Sequence, residues 1–391
     1  MPGMPHPSVG RVPLLLHAFP TFAVGGAQTR LVAIANHFGR RYRHLIVAMD
    51  GDTACAARLA PQVDFDLLPM VVPKRRSFGN ALMLRRTLSR LRPDLLVTYN
   101  WGSIEWGLAN MVPLCRHLHI EDGFGSEEAA GQLRRRVWFR RMVLAPRAHV
   151  VLPSRLLYRI STEVWRLPRQ RLHYLPNGID CERFAGPPDA GICAALRRHP
   201  GELLVGTVAA LRAEKNLGRL VEAFARLNRD RVAPARLVIV GDGAERPRLE
   251  ALAASLGLGD SVVFTGTLAA PERVLGTFDV FALSSDTEQM PYSVLEAMAA
   301  GLAVAAVAVG DVRDMVAPEN RPLVVEPRAE ALAGAMATLL SDRHGRKAIG
   351  EANARHVRRH YRDDQMFKRY GQLFDGIPET PPADTEKGRA P

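Results

Sequence analysis

The sequence predicts an α/β protein made of two doubly wound, Rossmann-like domains, and three observations carry that prediction. Short apolar runs alternate along the chain with segments of helical apolar spacing, the pattern of a parallel sheet covered by helices. Runs such as VFAL at 280–283 and LAVAAV at 302–307 have no polar face, as expected of strands buried on both sides. At 391 residues the chain is long enough for two domains, each with its own core.

Composition narrows the class. Hydrophobic residues make up 47% and charged residues 24%, the balance of a water-soluble globular protein. A formal charge of +12, mainly from arginine, suits acidic partners such as nucleotide phosphates, polyprenyl-phosphate acceptors or an anionic membrane surface. No nucleic-acid module or aromatic-interleaved basic strand is present, so no nucleic-acid partner is expected. Cys55, Cys115, Cys181 and Cys193 are scattered without a CxxC or Cys/His cluster, which argues against a metal site and a disulfide framework. Pro5, Pro7 and Pro13 interrupt any signal peptide, and no apolar run reaches the roughly 18 residues of a membrane span. A cytoplasmic protein, with access to the inner face of the cytoplasmic membrane, is expected.

Residues 1–10 read as a flexible leader. A strand over 12–18 empties into Gly25-Gly26, which opens a helix with Leu31, Ile34, Ala35 and Phe38 on one face. A glycine pair between strand and helix lets backbone approach phosphate or sugar closely. Further strands are predicted at 45–49, 63–68, 95–99, 114–120 and 148–152. Asp64-Phe65-Asp66 matches a D-x-D pattern, but its place inside an alternating strand makes the two acids edge residues. The strand ending near Ile120 leads into Glu121-Asp122-Gly123, where Asp122 is the site candidate and His119 reads as a strand residue. Residues 131–144, GQLRRRVWFRRMVL, form a basic amphipathic helix. Helical projection groups Val137, Trp138 and Met142 against Arg135, Arg136 and Arg140, so the helix is either a membrane-interface element or a surface helix with a solvated arginine face.

The string LPNGID, 175–180, turns the chain into a second domain. There a strand near 203–208 empties into a basic loop carrying Arg212 and Lys215. Gly241-Asp242-Gly243 follows another strand, but Arg246 breaks a dinucleotide fingerprint at its sixth position. The stretch 280–309 then gives strand, polar loop, helix from about Pro291 to Ala300, and strand. Its loop, at the carboxyl end of a sheet strand, holds Asp286 and Glu288, and Glu296 lies in the helix that follows. Carboxylates suit sugar hydroxyls, and free amides at a helix start suit phosphate. Beyond Pro327 the chain is helical to residue 374. His356 and His360 lack an acid that would complete a zinc site.

Glu288, seven residues, Glu296, then Ala-Met-Ala-x-Gly resembles the signature of the retaining family-4 glycosyltransferases (glycosyl transferases group 1), which have the GT-B fold. PNGID at 176–180 and the run from Gly241 to Gly266 are similar to the same family, and the resemblance spans 12–375. It implies two Rossmann-like halves facing across a cleft: a leader at 1–10, an acceptor-side domain at 11–175, and a nucleotide-sugar domain at 176–355. A crossover helix at 356–375 then returns to the first domain, and a disordered tail follows at 376–391. Carried over by position, Glu288 with Gln289, Met290 and Pro291 holds the donor sugar and diphosphate. Glu296 takes the ribose, Gly243 lies in the nucleotide loop, and Gly25 and Gly26 lie under the diphosphate. Three positions depart from the family pattern. Ala210 replaces its usual arginine, with Arg212 two residues on, and Asp122 stands where a histidine before glycine is common. Gly310-Asp311 replaces a glycine pair.

The resemblance implies transfer of a sugar from a nucleotide diphosphate to a hydroxyl acceptor, lipid-linked or saccharide, with retained anomeric configuration and no metal or cofactor. Glu288, Arg212, Lys215 and Asp122 are the candidate catalytic residues, with Arg212 and Lys215 clamping the leaving diphosphate. The alternative is an impaired nucleotide-sugar-binding partner, motivated by Ala210 and Asp122.

Overall fold

The computed structural model describes residues 11–376 apart from 74–76, 125, 129–130, 197, 200, 231, 269 and 271. The leader at 1–10 and all but the first residue of the tail at 376–391 lie outside the described residues. The chain divides into two units, one of residues 1–176 with 366–391, the other of residues 177–365.

The first unit carries a seven-stranded parallel sheet: β1 (Leu14–Phe19), β2 (Arg43–Ala48), β3 (Asp64–Leu67), β4 (Leu95–Tyr99), β5 (Arg116–Ile120), β6 (His149–Leu152) and β7 (Leu172–Tyr174). Their order across the sheet is β3-β2-β1-β4-β5-β6-β7. The second unit has six parallel strands: β8 (Leu203–Val208), β9 (Ala235–Val240), β10 (Val262–Gly266), β11 (Val280–Leu283), β12 (Ala303–Val307) and β13 (Val324–Val325), ordered β10-β9-β8-β11-β12-β13. In each sheet the chain first builds outward one way, then returns to build the other way. The reversal, between β1 and β4 and again between β8 and β11, is where doubly wound sheets open a ligand crevice.

Successive side chains of one strand feed opposite cores, which explains the unbroken apolar runs. Leu237 and Ile239 of β9 join Val280 and Ala282 of β11 in one core. Val238, Val240, Phe281 and Leu283 fill the other. The Asp64-Phe65-Asp66 segment is the outermost strand of its sheet, with both acids exposed and Asp66 paired to Arg43 at 2.7 Å. The last described helix, Asp363–Asp375, returns to the first unit. Met366, Phe367, Tyr370, Leu373 and Phe374 recur at helical spacing and enter the core of Leu15, Phe19 and Leu31.

Candidate functional site

In the second unit the loops after β8 and β11 flank the reversal and meet through charge. Lys215 Nζ lies 2.6 Å from Glu288 Oε1, and Ser285 donates its hydroxyl to the same oxygen at 2.8 Å. Both members of the pair are partly shielded, with side-chain exposures of 27% and 11%. The two loops are also tied through backbone: Asp286 donates to the Glu214 carbonyl at 2.9 Å, and Ser284 donates to that of Lys215 at 3.1 Å. Asp286 belongs to the tie, since it accepts from Arg219 at 2.6 Å and from Asn216 at 3.0 Å. Asn216 takes a left-handed backbone (φ 40°), which turns the chain from Lys215 into helix Leu217–Asp230.

Helix Tyr292–Ala299 begins just beyond Glu288, with Pro291 at its N-cap and no side-chain cap. Its first amides face forward, the arrangement that binds anions. Gln289 and Met290 are buried. Asn177 fixes the backbone before the helix by donating its side-chain amide to the Met290 carbonyl at 2.9 Å. Gly310, at φ 53°, presses on this turn from the loop after β12. A Cβ there would stand 2.3 Å from the Glu288 carbonyl oxygen and 2.6 Å from that of Gln289. Gly310→Ala is therefore expected to displace the Glu288 loop and weaken nucleotide-sugar binding by about tenfold or more, on the order of 1–3 kcal/mol for a strained position. Calorimetric titration checks this; unchanged affinity would separate Gly310 from the site.

Glu296 sits apart from that cluster. It is partly buried on the helix, and burial pushes its carboxyl up to about 7; Arg183 opposes the rise and Glu272 adds to it. Among the described residues no hydrogen bond joins it to Glu288. Arg212 is 65% exposed on its side chain and reaches Glu214 only at 4.0 Å. Ala210 and Arg212 are exposed with buried Leu211 between them, so both face the same way; the Lys215 amide donates to the Arg212 carbonyl at 3.1 Å, but among the described residues the Arg212 guanidinium pairs with neither Lys215 Nζ nor Glu288. Gly243 has a backbone reason for its identity, since a Cβ would lie 2.4 Å from the Leu211 carbonyl oxygen. The loop after β9 is thereby seated on the loop after β8.

In the first unit the loops after β1, β4 and β5 gather a second polar group. Arg30, nearly fully buried on helix Gly26–Phe38, grips Asp122 through both carboxylate oxygens at 2.6 and 2.7 Å. Asn100, at φ 56°, accepts from the Asp122 amide at 2.7 Å. Gly25 caps the helix in extended backbone, and Gly26 is its first residue. His119 is a buried strand residue bonded to Thr98 at 2.8 Å.

Residues 194–356 match the model of "Glycosyl transferases group 1", and residues 24–183 match that of "Glycosyltransferase Family 4". The chain belongs to the family-4 glycosyltransferases. It is 34% identical over 220 residues to a GDP-mannose-dependent alpha-(1-6)-phosphatidylinositol monomannoside mannosyltransferase of Mycobacterium tuberculosis, covering 54% of this chain and 57% of that one. It is 30% identical over 297 residues to a D-inositol 3-phosphate glycosyltransferase of Stackebrandtia nassauensis, covering 71% and 65%. The chain thus spans less than two thirds of either relative. The fold is that of the Anabaena protein HepE solved with UDP-glucose, at a TM-score of 0.78 and 17% identity over 93% of this chain and 100% of that one. This glycosyltransferase therefore has the GT-B fold.

The basic helix of this family-4 chain corrects the sequence reading. Helix Arg134–Leu144 turns Arg136 and Arg140 inward, while Arg134, Arg135 and Trp138 face solvent, Trp138 at 63% exposure. Arg140 binds Glu128 at 3.0 Å and lies 3.4 Å from Glu121, with all three side chains fully buried. Arg136 binds Glu127 at 2.7 Å and Glu128 at 3.2 Å. The Arg140 guanidinium also lies over the Trp165, Trp101 and Phe124 rings at 4.6, 5.1 and 5.5 Å. Burial works to raise Glu128, but its arginine partners outweigh it and hold the carboxyl below the ordinary value. Arg136 and Arg140 are structural counter-ions, whereas Arg134 and Arg135 stay on the surface. Glu121, next to Asp122, keeps Oε1 without a hydrogen-bond partner among the described residues. The sequence reading missed Arg30, Asn100, Glu121 and Glu128. The acids Glu127-Glu128 just before an arginine-rich helix were the available signal.

Proposed function

We propose that this protein moves a hexosyl group from a nucleotide-diphosphate sugar to a hydroxyl of a lipid-linked or saccharide acceptor, with retained anomeric configuration and without a metal. The carrying observation is the Lys215–Glu288 pair at 2.6 Å, set at the sheet reversal of the second unit beside an uncapped helix start. A diphosphate placed there takes charge stabilisation from Lys215 and the helix amides, and Glu288 is left to accept from sugar hydroxyls. Stabilising the departing diphosphate is what bond cleavage needs, and the acceptor hydroxyl can pass its proton to the leaving phosphate oxygen. Glu296 is the ribose partner in this reading. Asp122, held by Arg30, is a fixed acceptor of hydrogen bonds in the first unit. Names among the relatives make GDP-mannose the first donor to test, with UDP-sugars next.

Thermal shift against a panel of nucleotide sugars tests donor binding, because a ligand at 100 times its Kd adds about 2.7 kcal/mol to the native state. Donor hydrolysis without acceptor separates a transferase from a pure binder. The reading fails if no nucleotide sugar raises the midpoint. Arg212 serves as a lesser member of the clamp that swings in with the donor. Arg212→Ala is expected to lower turnover about tenfold, less than Lys215→Ala. A change within about twofold, as for a surface substitution, removes Arg212 from the mechanism.

A further inference from the structure

A second basic surface lies on the helix before β4. From Leu67 to Pro93 the chain has no Asp or Glu and seven Lys or Arg, against a net charge of +12 for all 391 residues. Helix Ser77–Leu91 occupies most of that stretch. At 100° per residue, Leu82, Met83, Arg86 and Arg90 fall on one stripe, and all four are exposed, whereas Leu84 and Leu88 on the opposite side are fully buried. The stripe lines a shallow groove with Gly79 and Thr87. Arg85 ties the helix to the neighbouring turn by donating to the Val112 carbonyl at 2.7 Å, and Val112 (68%) and Met111 are themselves exposed there. Among the described residues, Arg86 and Arg90 have no carboxylate partner.

We propose that this stripe docks the protein on an anionic lipid bilayer. Exposed Leu82 and Met83, one turn before Arg86 and two before Arg90, fit an interface where apolar side chains enter the acyl boundary and guanidinium groups stay among headgroup phosphates. Nucleic acid fits less well, since Leu82, Met83, Arg86 and Arg90 include no aromatic ring for a base to stack on. No acid within those 27 residues repels an anionic surface. The docking is independent of the transferase reading, because vesicle binding needs no donor.

The test is sedimentation with vesicles of phosphatidylglycerol and phosphatidylcholine, compared with phosphatidylcholine alone. The protein is expected to sediment with the anionic vesicles only and to be released as salt rises. Arg86→Glu with Arg90→Glu, and separately Leu82→Ser with Met83→Ser, are each expected to lower the bound fraction at least tenfold. Both pairs are exposed, and an unchanged melting midpoint confirms that the variants fold. Arg134→Glu with Arg135→Glu, on the other basic helix, is expected to retain binding. No binding to anionic vesicles overturns the proposal, as does full binding by either variant of the stripe. Loss in the Arg134/Arg135 variant with retention in the stripe variants overturns its location. Equal affinity for duplex RNA and vesicles overturns the choice of a lipid partner.

Discussion

Replacing Lys215 by alanine is expected to lower turnover by two to three orders of magnitude, about 2–4 kcal/mol of transition-state stabilisation. The ammonium group lies 2.6 Å from Glu288 and is positioned by two loops bonded to each other. In the proposed reaction its charge acts on an oxygen whose negative charge grows as the sugar departs. The loss should therefore fall on kcat more than on donor affinity. A second effect has the same sign: without Lys215, Glu288 keeps among the described residues one side-chain hydrogen bond, from the Ser285 hydroxyl, and repels a diphosphate. Glu288→Gln keeps the shape and removes the charge. In the double variant the losses should be less than additive, because the two groups share one partner. Lys215→Arg should recover only part, since a planar fork replaces a compact charge. Turnover of Lys215→Ala within a few-fold of wild type would remove this pair from the chemistry.

The second large effect is acid instability of the first unit. His44 and His173 are held at about 4 and His117 at about 3, each mainly by burial; His17 and His149 are also lowered, mainly by burial. Four of them are linked in neutral pairs inside the sheet, His17 to His44 at 3.0 Å and His149 to His173 at 2.9 Å; His17 also bonds Tyr99 at 3.0 Å, and His117 bonds Thr98 at 2.8 Å. A histidine neutral in the native state takes up its proton only on unfolding. Its contribution is complete above the ordinary value of 6.5 and is lost as pH falls toward the folded value. At pH 5, His44, His117 and His173 each cost about 2 kcal/mol, about 6 together, comparable with the whole stability of a domain.

Glu296 in the second unit has the opposite sign. Its folded value of about 7 exceeds the ordinary 4.5, so its contribution is complete at low pH and is lost as pH rises through 7. Between pH 8 and 5 the second unit should gain about 2–3 kcal/mol from this group. Glu296→Gln should abolish that gain. The two units can be read separately, because Trp101, Trp106, Trp138 and Trp165 all belong to the first. Tryptophan emission should therefore report unfolding near pH 5, while nucleotide binding by the second unit persists to lower pH. A tryptophan transition that stays at neutral-pH stability down to pH 4 would contradict the buried, neutral state of these histidines.

The sequence by itself determined the alternation of strand and helix, the burial of both sheet faces, and the family. These rest on local periods and short strings: apolar runs such as VFAL, the spacing of Glu288 and Glu296, and PNGID. The sequence also marked the chain near residue 370 as helical, and the resemblance implied its return to the first domain; which of its side chains enter the first core came with the fold. What only the tertiary structure decided is which loops meet. Lys215 and Glu288 are 73 residues apart, and they touch because β11 pairs beside β8 where sheet growth reverses. Strand order is a long-range property that no local period encodes. The same holds for Arg30 and Asp122, 92 residues apart. On the 134–144 helix the expectation of a solvated arginine face holds for Arg135 and fails for Arg136 and Arg140, which are buried. Buried carboxylates and aromatic faces supplied by Glu121, Glu128, Trp101 and Trp165 make the interior the better solvent for Arg140, and those partners come from three other segments of the chain.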